Sequence, residues 1–234
     1  MESNYAAFSA HPLTLFIVLA AMLVTPLYLF ATFAFSGASL KRGLLIGVIA
    51  LVAGAGMFLV CLFGVPDRLG LPGNLIIPVA WLAPSIVLLL TRRWVLADPL
   101  SSRWLIGLQL WRAIGGVFLI EMMRGHLPGI FAHPAGWGDL LVALVALVIL
   151  LRFRDGQPIP AKAIHLVGVL GVLDFAGAFF FGFFSSETPL QLFSFENPNQ
   201  VILFPTGLVP LFLVPYAIFF HTLAWLNLAK HGVR

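Results

Sequence analysis

The sequence predicts an all-α polytopic membrane protein, a bundle of seven transmembrane helices with its N-terminus outside and its C-terminus inside. Three observations predict it. Of 234 residues, 61% are hydrophobic and 9% charged, whereas soluble domains carry about 25% charged residues. Seven apolar stretches are long enough to cross a bilayer. The loops between them alternate in basic charge, which is the pattern that orients a membrane protein.

A spanning helix needs about 20 mostly apolar residues, because lipid leaves no partner for an open backbone group. The candidates run Pro12–Phe35, Gly43–Gly64, Asn74–Thr91, Trp104–Met123, Trp137–Leu151, Ala163–Phe184 and Pro205–Leu228. The opening residues, "MESNYAAFSAHP", lack a basic stretch, and the apolar run after them is long, so the first span reads as retained rather than as a cleaved signal. Pro26 in the first span, and Pro78 and Pro84 in the third, are kink positions. The second span holds the one cysteine, Cys61, as a small packing residue. One cysteine excludes an internal disulfide and a cysteine-rich metal motif. No 20–50-residue repeat or soluble module interrupts the series, so residues 1–234 read as one transmembrane domain.

Ten of the 13 lysines and arginines fall on one side: Lys41, Arg42, Arg92, Arg93, Arg103, Arg152, Arg154, Lys162, Lys230 and Arg234. The other side holds Arg68 and Arg124. The positive-inside rule makes the ten cytoplasmic, and Trp94, Trp104 and Trp137 fit interfacial anchors. Basic residues confined to short loops give the chain no nucleic-acid partner, although its net charge is +4. The partner is the lipid bilayer, and the oligomeric state is left open. Seven spans suggest a retinal protein, but the last span has no lysine at its middle to form the Schiff base; Lys230 stands at its end.

The fourth span, "WRAIGGVFLIEMMRG", carries Arg112, Glu121 and Arg124. At 1.5 Å per residue, Arg112 lies ~14 Å from Arg103, Asp174 ~18 Å from Lys162, and His221 ~14 Å from Lys230. All three belong near the middle of a hydrocarbon core about 30 Å thick. A charge at that depth is costly alone, so Arg112 needs a partner at its own level: Asp174 first, then Asp139. Gly115, Gly116, Gly171, Gly177, Ala178 and Gly182 allow the close approach this requires. Gln109, one turn below Arg112, is placed to extend the network. Glu121 sits ~27 Å up. It is half a helical rotation from Arg112 and pairs instead with Arg124, three residues on, at the outer rim.

The fifth span is short, and "GHLPGIFAHPAGWGD" before it holds the residues that break helices. Asp139 lies ~20 Å from Arg152. Two readings follow for residues 126–138. They form a sheltered, partly re-entrant segment, with Asp139 opening a helix inside the membrane, or an external loop with Asp139 as the cap of a tilted span. In the last span Pro210 marks the outer end, and Pro215 should bend the helix and free a carbonyl.

One arginine against two aspartates leaves one negative charge over. A protonated His221, a protonated aspartate or a bound cation would balance it. The candidate ligand- or proton-binding residues are therefore Arg112, Asp139, Asp174, His221 and Gln109, with no catalytic residue assigned. His126, His133, His165, His11 and His231 show no metal-binding spacing, so no metal or other cofactor is expected.

Three stretches carry a resemblance: "GGVFLIEMMRGHLPGIFAHPAGWGD", "LGVLDFAGA" and "LVPLFLVPYAIFFHTLAWL". Together they resemble a widespread family of bacterial multi-pass membrane proteins known only as hypothetical. The resemblance implies the bacterial inner (cytoplasmic) membrane and imports no activity. The functional expectation is a protein that binds or moves a small solute through a half-buried polar site, with proton coupling open. The alternatives are a structural or assembly subunit of a membrane complex, and an intramembrane enzyme acting on lipid, which the lack of a GxSxG elbow or other reaction motif disfavours.

Overall fold

The computed structural model describes residues 10–154 and 157–233, except for the side chains of 71–73. Arg234 and the first nine residues, used above for the basic side and the retained N-terminus, lie outside these. Every regular element among the described residues is helical, and seven helices are long and apolar enough to cross a membrane. They are α1 (Pro12–Phe35), α2 (Leu40–Leu62), a short α3 (Val65–Leu69) and α4 (Leu71–Val95). The fourth span follows in three pieces: α5 (Ser102–Gly107), a 3₁₀ segment (Leu108–Gly115) and α6 (Gly116–Met123). Then come α7 (Gly129–Arg152), α8 (Ala161–Ser185) and a π-helical segment (Val209–Leu213) continuing as α9 (Val214–His231).

The basic loops meet at one end of the bundle and are stitched there by hydrogen bonds. Arg42 pairs with Asp98 at 3.1 Å. Ser101 N–H donates to Ser36 Oγ at 2.9 Å. Asn227 accepts from Leu100 N–H at 2.8 Å and donates to Leu100 C=O at 2.9 Å. Arg103 reaches the carbonyl of Phe153 at 2.9 Å. The antiparallel alternation of spans read from the charges is thus present in the packing.

The last span is the axis of the bundle: 78% of its central window is buried, against 22% for the second and third spans. On α2 and α4 the outward face is apolar, with Val52, Val79 and Leu90 each more than 60% exposed. Such a surface is suited to hydrocarbon and would associate in water. Helix α2 lies close on α1 because Gly43 and Gly47 face it; a Cβ on Gly43 would stand 2.7 Å from Phe33 Cβ. The hydroxyls of Thr25, Thr32, Thr91 and Thr222 donate to the carbonyl four residues back, which satisfies them inside their own helices.

Three expectations are corrected. Residues 126–138 form neither a re-entrant segment nor a long loop. Helix α7 runs unbroken for 24 residues from Gly129, and Asp139 lies well inside it. Pro134 is the sixth residue of the helix, so one carbonyl, that of Ile130, loses its donor there while the helix continues. The glycines are contact points: a Cβ on Gly136 would stand 2.8 Å from Leu119 Cγ. Second, the fourth span is not one α-helix. Its 3₁₀ segment has three residues per turn, which stacks Gln109, Arg112 and Gly115 in one row, and all three are buried. Third, the disturbance in the last span is a π-helical segment just before Pro215. The carbonyl of Pro210 there accepts the Trp81 indole N–H at 2.7 Å.

Candidate functional site

Arg112 is fully buried where the fourth, fifth, sixth and seventh spans meet. Its Nε donates to Asp139 Oδ1 at 2.7 Å, and its Nη2 donates to Asp174 Oδ2. The guanidinium carbon lies 3.9 Å from the centre of the Phe175 ring, a cation–π contact in a desolvated place. The planar fork suits two carboxylates on two different helices; a lysine would offer one point charge instead.

Each polar side chain occupies a notch made by a glycine on its neighbour. A Cβ on Gly115 would stand 2.8 Å from Asp139 Cγ. One on Gly138 would stand 2.7 Å from Asp174 Cγ. One on Gly171 would stand 2.7 Å from Arg112 Nη1 and would overlap His221 Nε2. Three glycines on three elements thus admit the four charged or titratable side chains. Gly116 and Gly177 have open space instead.

His221 is buried on α9, and its Nε2 shares the Gly171 notch with Arg112 Nη1. Neither nitrogen has a hydrogen-bond partner among the described residues. Trp225, one turn along α9, turns its Nε1 toward the next notch, at Gly168. Gln109 is buried in the same row as Arg112, but its amide bonds to nothing among the described residues. It does not extend the network by hydrogen bonding, which corrects the expectation from sequence.

On the other side of the carboxylates lies a narrow cleft. Asp139 and Asp174 lie at one end; Asn74 and Ser186 line it toward the end of the bundle away from the basic loops. Six aromatic side chains, Trp81, Phe118, Phe131, Phe175, Phe179 and Phe183, line it together with aliphatic ones. The cavity volume is about 40 Å³, room for a few waters or one slender group. Sequence reasoning missed this wall. The signal was present, because Phe175, Phe179 and Phe183 recur every four residues and so share one helix face.

Glu121 belongs elsewhere. It is fully buried and accepts from His11 N–H at 2.9 Å and from the Thr14 hydroxyl, while His126 Nδ1 lies 2.8 Å from its other oxygen. Arg124 is present but distant, at 3.9 Å. The rim ion pair expected from spacing is therefore a minor part of a clasp that ties the start of α1 to the end of α6. Among the described residues no three metal-binding side chains come together.

No curated protein and no solved structure matches the chain. A family profile described as a domain of unknown function, DUF8737, matches residues 73–229. That stretch covers nearly all of α4 to α9 and every residue around Arg112. The chain belongs to the DUF8737 family.

Proposed function

We propose that this protein binds, and moves across the membrane, a small positively charged solute. A proton is the simplest candidate and a small ammonium ion the next. The observation that carries this reading is the aromatic cleft ending on two carboxylates that share one guanidinium. With both carboxylates ionised, one negative charge is left over at the end of a passage whose ring faces favour cations. Asp139 and Asp174 hold the cation or its proton. Arg112 keeps the carboxylates in place, and His221 passes protons on toward the basic end. In this reading the seven spans act as one unit in a bacterial inner membrane, with the basic loops in the cytoplasm.

Proteoliposomes on a solid-supported membrane test it by the charge displaced in jumps of pH or methylammonium concentration. The wild type should give a transient current that Asp174→Asn removes while keeping its thermal stability. A wild type indistinguishable from empty liposomes under both jumps would sink the proposal.

A second reading is favoured by the glycine notches and the complete burial of Arg112: a packing clasp in an assembly subunit, with no ligand. It predicts that Asp174→Asn changes stability alone, with no current to lose.

A further inference from the structure

A second pocket lies at the basic end, between the last turns of α4 and α9. It is lined by Arg92, Arg93, Leu96, Leu226, Ala229 and Lys230, with a volume of about 260 Å³. We propose that this groove holds the headgroup of an anionic phospholipid. The inference stands apart from the Arg112 site.

Three side chains of the lining are cationic and none is acidic. Arg92 and Arg93 are exposed. Lys230 Nζ is held at 2.6 Å by the Leu96 carbonyl, which fixes it at the groove while leaving two of its three protons to donate. His231 reaches the same carbonyl at 3.0 Å. Asp98, on the loop that follows α4, is engaged by Arg42 at 3.1 Å and by Ser39 N–H at 3.3 Å. Among the described residues, no acidic side chain lines the groove to answer its positive charge.

The floor is apolar, and so is the surface that leads away from it. Ile86, Val87, Leu89 and Leu90 on α4 are exposed directly above the arginines, a path that acyl chains can follow. Trp94 is also exposed at this level, where indoles anchor a membrane interface. Basic pockets between spanning helices bind phosphate headgroups in this way. An apolar floor continuous with a lipid-facing surface selects a lipid over a free phosphate ion.

Native mass spectrometry of the full chain, released from mixed phosphatidylglycerol and phosphatidylcholine, tests this. Wild type should retain phosphatidylglycerol in preference. Arg92→Gln with Arg93→Gln should lower that preference roughly ten-fold or more, given the typical contribution of each basic residue near a membrane surface. Ala229→Trp, which fills the floor without changing charge, should lower it too, and Lys162→Gln, at the same end but off the groove, should not. These exposed changes leave the buried bundle alone, and unchanged melting temperatures would show it. Equal retention of both lipids by wild type would overturn the proposal. So would an effect of Lys162→Gln as large as that of the double variant, which would mean a diffuse rim charge. Displacement of the lipid by millimolar inorganic phosphate would mark a phosphate-ion site instead, and would also overturn it.

Discussion

The molecule buries two clusters of charge, and they are built differently. Around Glu121, one carboxylate receives a backbone N–H, a hydroxyl and an imidazole, and a guanidinium stands nearby. Its demand for donors is met, and it lines neither the aromatic cleft nor the basic groove. Around Arg112, one guanidinium divides itself between two carboxylates that line a cleft, and its Nη1 has no hydrogen-bond partner among the described residues. Buried charge is common to both and so identifies neither as functional. What separates them is charge balance, unmet hydrogen-bonding capacity and access.

The largest effect that tests this contrast is removal of the arginine. Arg112→Met leaves two carboxylates in a low-dielectric place without their cation, and the loss from breaking a buried ion pair is about 3–5 kcal/mol. Thermal or denaturant unfolding in detergent should show a fall of that order. A fall under about 1 kcal/mol would mean the pair is less buried than described.

The notches come next. Gly115→Ala drives a methyl into Asp139 and should cost about 1–3 kcal/mol as an overpacked site. Gly116→Ala, the adjacent residue with open space, should be neutral or slightly stabilising, because alanine favours helix. Equal effects at the two positions would contradict the notch account.

At the satisfied cluster, Glu121→Gln keeps the shape but swaps charge-assisted hydrogen bonds for neutral ones. A loss of about 1–2 kcal/mol is expected, with the pH-jump current unchanged. A current that falls with this variant would erase the distinction between the clusters. The smallest effect belongs to Trp81→Phe, which keeps an aromatic wall but strips the hydrogen bond to the Pro210 carbonyl, for about 1 kcal/mol in the same unfolding measurement.

The sequence made Arg112, Asp139, Asp174 and His221 legible together because helix rise converts position into depth, and few polar residues share one depth. It did not show how they fit. The run of Gly and Pro before Asp139 has the composition of a broken loop, yet glycine serves equally to let a neighbour's carboxylate close in, and only the neighbour decides. The 3₁₀ turn at Gln109–Arg112–Gly115 leaves no residue-type mark. Two partners of Glu121, His11 and Thr14, lie more than 100 residues away in the chain, beyond any local pattern. Phe175, Phe179 and Phe183 were readable as a face, but which void they wall depends on Trp81 and Phe131 from other helices.

The central claim is that the cleft admits cations to the two carboxylates. Ala178 lines the cleft, and Cys61 is the one native thiol, so Cys61→Ala with Ala178→Cys places a single reporter there. The rates of thiol modification by the cationic aminoethyl and the anionic sulfonatoethyl methanethiosulfonates are then compared. The account predicts faster reaction with the cation where both carboxylates are ionised, by about ten-fold or more for one net negative charge in a desolvated passage, and loss of the difference on adding Asp174→Asn, which leaves one carboxylate against Arg112. Equal rates with both reagents, or no reaction with either, would contradict it.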